Sequence, residues 1–279
     1  MQVQLQEKKR HLESILRDMG SLLVAYSGGV DSAFLAVEAA RELGDRALAV
    51  TAVSPAMPER EIKEASELAR LWGMRHLVID TDEMSDANYV ANGPRRCYYC
   101  KIELYSRLRP IAQAQGIGWI ANGANLDDLG DYRPGLKAAN EHGIRSPLVE
   151  ARLYKSEIRD LSQELGLPTW DKPALACLSS RVPYGTPIVL EDLKRIDQAE
   201  EFLRSLGLRQ VRVRHHDKIA RIEVSPEEIG LLAQEQIRQQ VVDRFRALGY
   251  LYVTLDLAGY RTGSLNEVLK PPKGKPSNY

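Results

Sequence analysis

Disulfide frameworks, one-sided charge and membrane-length apolar runs are all missing from this sequence of 279 residues. Only three Cys are present, an odd number that excludes a disulfide-stapled secreted scaffold and leaves metal or redox chemistry open. The 38 Lys and Arg balance the 38 Asp and Glu, so no net field draws the protein toward nucleic acid or an anionic membrane. No window approaches the roughly 18 consecutive apolar residues of a membrane span, and no signal-peptide core is recognisable. A soluble cytoplasmic protein is therefore expected.

The first two-thirds of the chain alternates short apolar runs with amphipathic stretches. The runs are typical of buried strands: Leu22–Tyr26, Ala47–Val53, His76–Asp80 and Trp119–Asn122. The amphipathic stretches have helical spacing: Ser32–Leu43, Pro58–Trp72, Leu104–Gln115 and Ser156–Leu165. This alternation predicts an α/β fold with a doubly wound parallel sheet.

A Pro-rich irregular stretch, residues 166–189, interrupts this rhythm. Beyond it the pattern predicts a helix, a hairpin, a second helix and a strand: Val189–Leu206, Gln210–His215 with Lys218–Val224, Pro226–Leu248 and Leu251–Leu257. We therefore expect a large domain at residues 1–187, a smaller α+β domain for substrate binding or oligomerisation at 188–270, and a tail at 271–279.

The sharpest local signal is the run Ser27-Gly28-Gly29-Val30-Asp31-Ser32, between the first strand and the first helix. Two Gly let the backbone turn and present its N–H groups, and a helix N-terminus favours anions. An unliganded turn is the alternative, but the strand before and the helix after favour phosphate binding. The run resembles the PP-loop of the ATP pyrophosphatases. That resemblance implies ATP cleavage to AMP and pyrophosphate, with the nucleotide held by Ser27, Gly28, Gly29, Asp31 and Ser32.

Acidic residues follow the fourth strand in the run GANLDDLGDYRPG, which begins at Gly123. The carboxyl ends of parallel strands are where α/β folds bind ligands. Asp128 is therefore a candidate ligand for Mg²⁺ beside the phosphates, since Mg²⁺ takes one or two carboxylates together with phosphate oxygens. Helix capping by Asp127 or Asp128 is the alternative.

The three Cys fall in two basic segments. Cys97 and Cys100 form a Cys-x-x-Cys pair within RRCYYCK, and Cys177 lies in the run PALACLSSR. Neighbouring Arg and Lys favour thiolates, which are both nucleophiles and metal ligands. Zinc with a distant His, a redox pair, and a 4Fe–4S cluster with one open iron all remain open from the spacing alone.

Basic residues also crowd the expected hairpin. Strand alternation puts Arg212 and Arg214 on one face, and paired guanidinium groups suit a phosphate or carboxylates. Arg261, in the run GYRTGSLNE, is a candidate third member. A solvated strand face is the alternative for each Arg taken singly.

Taken in order, SGGVDS, RCYYCK, GANLDDLGDYRPG, PALACLSSR and GYRTGSLNE resemble the LarE-type pyridinium-dicarboxylate mononucleotide sulfurtransferases over about residues 10–267. In single-cysteine members of that family, the cysteine matching Cys177 gives up its sulfur and becomes dehydroalanine. Cys97 and Cys100 make this chain resemble the three-cysteine members. That resemblance implies a 4Fe–4S cluster on Cys97, Cys100 and Cys177, with Cys177 not consumed.

The expected function is ATP-dependent adenylation of pyridinium carboxylates of a nicotinate-derived mononucleotide, followed by sulfur transfer to give thiocarboxylates. The resemblance also implies a substrate phosphate site at Arg212, Arg214 and Arg261, with Glu223 nearby. It further implies a homo-oligomer, a role in nickel-pincer nucleotide biosynthesis and a downstream nickel-insertion protein. A PP-loop tRNA thiolase is one alternative, disfavoured by the neutral charge. A non-catalytic ATP-binding or redox-sensing module is the other, and it would need no nucleophile.

Overall fold

The computed structural model describes residues 2–130, 133–173 and 176–269, so Asp131 and the expected tail at 271–279 lie outside it. The chain folds into two compact units. One comprises Met1–Val90 and Arg95–Leu175, and the other comprises Ala91–Pro94 and Ala176–Tyr279.

The first unit alternates helices and strands along the chain. Its elements are α1 (Gln2–Met19), β1 (Leu22–Ala25), α2 (Val30–Leu43), β2 (Ala47–Val53), α3 (Glu59–Leu71), β3 (His76–Asp80), α4 (Ala87–Val90), α5 (Arg96–Ala114), β4 (Trp119–Ala121), α6 (Pro134–Glu141), α7 (Pro147–Glu150) and α8 (Lys155–Glu164). Its four strands form one parallel sheet in the order β3-β2-β1-β4. The predicted α/β fold with a parallel sheet is confirmed.

Both faces of this sheet are buried because its central strands are apolar on each side. In β1, Leu22 and Val24 pack into a cluster with α1, α2 and α8, whereas Leu23 packs into a second cluster with α5 and α6. Strand alternation sends neighbouring side chains to opposite faces, so a continuous apolar strand requires helices on both. The carboxyl end of β1, where the loop to α2 begins, is thereby held rigidly.

Two helices of the first unit differ from the sequence expectation. α1 was not predicted, although Leu12 and Leu16 are fully buried on its inner face. α5 begins at Arg96 rather than Leu104, so the Cys-x-x-Cys pair lies near its N-terminal end. The polar composition of these segments hid the pattern, because only one narrow face of each helix contacts the core.

The second unit is a small α+β structure. Its elements are α9 (Leu190–Ser205), β5 (Val211–His216), β6 (Ile219–Val224), α10 (Ile229–Ala233), α11 (Glu235–Ala247) and β7 (Tyr252–Leu255). β5 and β6 form the predicted antiparallel hairpin, and β7 adds to β6 in parallel. The single helix expected at Pro226–Leu248 is instead a 3₁₀ turn followed by α10 and α11. The break falls at Gln234, whose extended backbone (ψ 135°) caps α11.

The second unit includes the irregular stretch from Ala176 and the short segment Ala91–Pro94, so it begins earlier than residue 188. Asn92 explains the segment's place: it is fully buried, and its side-chain amide donates to the carbonyls of Val182, Pro183 and Thr186 at 3.3, 2.8 and 2.9 Å. Its own carbonyl accepts the N–H of Gly185.

Over the described ranges, none of the helices has both the length and the apolar character needed to cross a membrane.

Candidate active site

The loop between β1 and α2 is built around two serine hydroxyls. Ser32 donates to the carbonyl of Gly29 at 3.1 Å and accepts the N–H of Ser27 at 3.2 Å. The hydroxyls of Ser27 and Ser32 lie 3.1 Å apart. Gly29 caps α2 with an extended backbone and no side-chain hydrogen bond to the cap. The loop therefore leads into a helix N-terminus that no side chain caps, an arrangement that favours an anion.

Two Gly give this loop a shape that other residues would spoil. Gly28 has a φ of +73°, and a Cβ there would lie 2.8 Å from the Cβ of Ala65 on α3. Gly123, after β4, has no such backbone requirement, but its Cβ would lie 2.8 Å from the backbone N of Ser32. The close approach of β4's loop to the start of α2 makes Gly123 part of the site. The sequence motif predicts a role in nucleotide binding for Gly28 but not for Gly123.

Asp31, on the first turn of α2, lies between a cation and an amide. Its carboxylate accepts from Lys155 Nζ at 2.5 Å and from the Asn125 side chain at 3.3 Å. Lys155 is the first residue of α8, and its backbone N–H is bound by Asp127 at 2.7 Å. Asp127 therefore accepts a hydrogen bond from the first residue of α8, which agrees with the alternative of helix capping. The loop acid Asp31 thus has an ammonium group beside it.

Asp128, the predicted Mg²⁺ ligand, is joined to Asp31 through Asn125. One oxygen of Asp128 accepts the backbone N–H of Asn125 at 3.0 Å, and the other lies 2.8 Å from Arg133. Burial raises the pKa of Asp128 above its ordinary value, and the charge of Asp31 adds to that effect. Two carboxylates linked by one asparagine, through its side-chain amide and its backbone N–H, suit a cation that draws its remaining ligands from phosphate oxygens and water.

The segment that carries Cys177 is held by one buried guanidinium group. Arg181, at the end of a 3₁₀ turn that follows Cys177, donates through Nη1 to the carbonyls of Ala176 and Cys177 at 2.6 and 2.9 Å. Its Nε and Nη2 form a bidentate pair with Glu200 of α9 at 2.8 and 2.9 Å. The thiol of Cys177 is exposed. The backbone is thus immobilised while the sulfur stays accessible.

Glu200 is the centre of this arrangement. It is fully buried, and besides Arg181 it accepts from the backbone N–H of Val213 at 3.0 Å and from Arg204 at 2.9 Å. Burial alone would raise the pKa of Glu200. The charges of Arg181, Arg212 and Arg204, with the hydrogen bonds of Arg181, instead lower it to about 2.

We expect this carboxylate to make the second unit sensitive to acid. A folded-state pKa of about 2 against an ordinary 4.5 means that the stabilisation is present above pH 4.5 and is lost as the pH falls toward 2. The full loss corresponds to about 3 kcal/mol of unfolding free energy. The ¹³C shift of the Glu200 carboxyl carbon, followed across this range, reports the midpoint. Titration near pH 4.5 in the folded protein would contradict the expectation.

The three basic residues predicted to bind substrate phosphate already have partners. Arg212 and Arg214 are both buried on β5, so they do not lie on a solvated face. Arg214 forms a bidentate pair with Glu223 at 3.0 and 2.8 Å and also donates to the carbonyl of Ser180 at 2.9 Å. The guanidinium group of Arg212 lies over the ring of Tyr260, 5.2 Å from its centroid. The pKa of Arg212 is lowered to about 10, mainly by burial and next by the charge of Arg181. Arg261 is half exposed and pairs with Glu267 at 2.6 Å.

The predicted 4Fe–4S cluster lacks support in this structure. Cys97 and Cys100 lie on α5 in the first unit, whereas Cys177 belongs to the second. Over residues 2–130, 133–173 and 176–269, no group of three or more His, Cys, Asp or Glu side chains is placed to hold a metal ion. A cluster needs at least three converging thiolates. The described residues therefore give the predicted cluster no support.

Several residues of the site carried no sequence signal. Lys155 and Glu200 are ordinary members of polar stretches, and the sequence indicated Arg181 only as a basic neighbour of Cys177. Only the fold brings a cation to Asp31 and a carboxylate to Arg181. The position of Arg181 four residues after Cys177 was the one available hint, because a short turn can return a side chain to the carbonyls before it.

The chain is similar in sequence to several known proteins. No family model matches the chain. It is 48% identical over 265 residues to an uncharacterized protein of Synechocystis sp., covering 95% of this chain and 99% of that one. It is 31% identical over 191 residues to the tRNA-specific 2-thiouridylase of Xanthobacter autotrophicus, covering 54% of this chain and 49% of that one.

A third relative is an enzyme with a named product, and the similarity covers nearly the whole of both chains. The chain is 41% identical over 268 residues to the pyridinium-3,5-bisthiocarboxylic acid mononucleotide synthase of Lactiplantibacillus plantarum, covering 95% of this chain and 96% of that protein. Identity at this level across both units confirms the resemblance seen in the ordered motifs: the chain belongs to the family of the pyridinium-3,5-bisthiocarboxylic acid mononucleotide synthases.

Proposed function

We propose that this protein is an ATP-dependent sulfurtransferase that converts pyridinium carboxylates of a nicotinate-derived mononucleotide to thiocarboxylates. The observation that carries the proposal is the anion loop Ser27–Ser32, with the carboxylates Asp31 and Asp128 linked beside it, in a chain of this family. The product would enter nickel-pincer nucleotide biosynthesis, upstream of a nickel-insertion protein.

The first step activates the carboxylate. A substrate carboxylate oxygen forms a bond to the α-phosphorus of ATP, and the bond from that phosphorus to the departing pyrophosphate breaks. The acyl adenylate that results has AMP as a good leaving group, where the free carboxylate had none. Hydrogen-bond donors aimed at the phosphates stabilise the charge that develops on the departing pyrophosphate.

The residues of the anion loop fit ATP and Mg²⁺. Gly28 and Gly123 keep Cβ atoms out of the loop's surroundings, and Lys155 supplies a cation beside Asp31. Asp31 and Asp128 would hold Mg²⁺, which when bound neutralises charge on the phosphates. Lys155 would then move from its carboxylate partner toward a phosphate oxygen, since both acceptors carry negative charge.

The second step transfers sulfur, and we assign the nucleophile to the Cys177 thiolate. Its sulfur attacks the acyl carbon, AMP leaves with the former carboxylate oxygen, and a thioester to Cys177 forms. Loss of the Cα proton and cleavage of the Cβ–S bond then release the thiocarboxylate and leave dehydroalanine.

Binding of the substrate phosphate is proposed for the basic residues of the second unit. Arg261 is half exposed, and its partner Glu267 is an exposed carboxylate that a phosphate can displace. Arg212 and Arg214 are buried, so they would bind only a substrate group that extends as far as their guanidinium groups. A homo-oligomer is proposed on the family resemblance.

A tRNA thiolase is the weaker candidate. The similarity to the 2-thiouridylase covers 49% of that protein, whereas the similarity to the mononucleotide synthase covers 96%. Both candidates use an adenylated acceptor and a sulfur nucleophile. The mass of the thiolated product, nucleotide or tRNA, separates them.

We expect Asp31→Ala and Ser32→Ala each to lower substrate-dependent pyrophosphate release at least about tenfold, because each removes a charge-assisted or loop-forming contact worth roughly 1.5 kcal/mol or more. Asp31 lies beside Lys155, and Ser32 holds three loop atoms together. Pyrophosphate is measured with a coupled assay containing ATP, Mg²⁺ and the pyridinium dicarboxylate mononucleotide.

Asp18→Ala, at an exposed position of α1, serves as the control and should match the parent protein. Unchanged pyrophosphate release in both loop variants would remove the assignment of ATP to this loop. Thermal unfolding of every variant establishes that the fold is retained.

A further inference from the structure

We infer that Lys172 is a positioning residue of the anion loop, which sets the direction of the Gly29 N–H toward a bound phosphate. Lys172 carries no role in the function proposed above. The inference rests on that function to the extent that a nucleotide phosphate occupies the loop.

The ammonium group of Lys172 is nearly buried between two carboxylates and a backbone carbonyl. Its Nζ lies 2.6 Å from Glu61 and 2.7 Å from Glu64, both on α3, and 3.4 Å from the carbonyl oxygen of Gly28. The side chain is 13% exposed. Such a group pays a desolvation cost that only several charged or polar partners offset. The two carboxylates attract the ammonium group by charge, and the carbonyl of Gly28 accepts a hydrogen bond from it.

The backbone of Lys172 is anchored as firmly as its side chain. Arg159 of α8 donates to the carbonyl of Lys172 at 2.8 Å and to that of Trp170 at 2.5 Å, and the Lys172 N–H closes a turn onto Thr169 at 3.0 Å. A long flexible side chain is therefore fixed at both ends. This is the arrangement expected of a side chain that holds another group in position.

The contact of Lys172 with the Gly28 carbonyl also sets the direction of the Gly29 N–H, because both groups belong to the same peptide. The carbonyl of Gly28 and the N–H of Gly29 belong to one trans peptide plane, so they point in opposite directions. A cation that holds the carbonyl against α3 thus turns the Gly29 N–H away from α3. That N–H donates to Ser27 Oγ at 3.5 Å, a contact that a phosphate oxygen at a shorter distance would replace.

The α3 side of this arrangement is rigid. A Cβ on Gly28 would collide with Ala65, and Tyr26 Oη donates to the carbonyl of Ala65 at 3.1 Å. Glu64 also pairs with Arg60 at 2.5 Å, which together with Lys172 lowers the pKa of Glu64 despite its partial burial. α3 is therefore a fixed surface against which Lys172 holds the loop.

The test compares ligands that do and do not place a pyrophosphate group in the loop. We expect Lys172→Met to raise the dissociation constants of Mg-ATP and of inorganic pyrophosphate by about tenfold, the effect of one misdirected hydrogen bond to a charged group. AMP, which carries no pyrophosphate, should bind as tightly as to the parent protein. Calorimetric titration measures all three ligands.

Three further variants sharpen the result. Lys172→Arg retains a cation for the same acceptors and should recover most of the affinity. The double variant Glu61→Gln/Glu64→Gln removes the charges that hold Lys172. It should raise the dissociation constant of ATP, as Lys172→Met does. Lys63→Met is the matched control, because Lys63 lies on α3 in an exposed pair with Glu59 and should change nothing.

The outcomes are distinguishable. Parent-like binding of ATP and pyrophosphate to Lys172→Met overturns the inference and leaves the proposed function standing. Equal weakening of AMP, ATP and pyrophosphate also overturns it, in favour of a purely structural role. A parent protein that binds neither ATP nor pyrophosphate removes the proposed function and this inference together.

Discussion

Cys177→Ser is expected to abolish thiocarboxylate formation while leaving ATP-dependent pyrophosphate release intact. The thiol of Cys177 is exposed, and its backbone is held by Arg181 through two carbonyls that the substitution does not touch. Serine preserves the size of the side chain but supplies no sulfur and a far weaker nucleophile. We expect no detectable thiolated product in mass spectra of the nucleotide. A pyrophosphate assay of the same sample measures whether ATP is still cleaved.

The fate of Cys177 in the parent protein separates the two sulfur routes. If the thiol is the donor, the protein loses the mass of H₂S after one turnover and position 177 becomes dehydroalanine. Cys97→Ser and Cys100→Ser should then remain active, since neither residue shares a described metal site with Cys177. A brown, iron-containing protein that loses both colour and activity on substitution of any one Cys would contradict this route and restore the cluster predicted from the sequence.

Arg181→Met is expected to destabilise the second unit by about 3–5 kcal/mol, the usual cost of removing one partner from a buried ion pair. The substitution leaves the carboxylate of Glu200, which is fully buried, without its bidentate partner. It also frees the carbonyls of Ala176 and Cys177 from their shared donor. Urea unfolding, followed by a probe in the second unit, measures the change in free energy.

Arg238→Met, at an exposed position of α11, is the control and should alter the unfolding free energy by no more than about 0.5 kcal/mol. An Arg181→Met protein as stable as this control would show that the pair with Glu200 contributes nothing net. In that case the acid sensitivity expected from the lowered pKa of Glu200 should be absent as well.

Elements that carry their own local pattern could be predicted. The apolar runs of β1 to β4 are short and bounded by turn residues, so their strand character and parallel arrangement followed from the sequence. The turn from β1 into α2 was predictable for the same reason, because the glycines, the strand and the helix are adjacent in the chain. The hairpin of β5 and β6 likewise joins neighbouring segments.

Interactions between distant residues could not be predicted in this way. Nothing near Asp31 indicates Lys155, and nothing near Gly28 indicates Lys172, because each pair lies more than a hundred positions apart in the chain. The same limit applies to the thiols. Their spacing left several kinds of site open and the family resemblance implied a shared cluster, whereas the described residues contain no metal-binding group.

The amino-acid sequence by itself thus determined the α/β class, the glycine-containing turn between β1 and α2, and the family, since these depend on periodicity and on motifs contiguous in the chain. Only the tertiary structure decided which charges are buried and paired. Arg212 and Arg214 share a strand face, as alternation requires, yet packing and Glu223 make that face a buried ionic layer. Burial and partner choice depend on contacts between remote segments, and no local pattern encodes them.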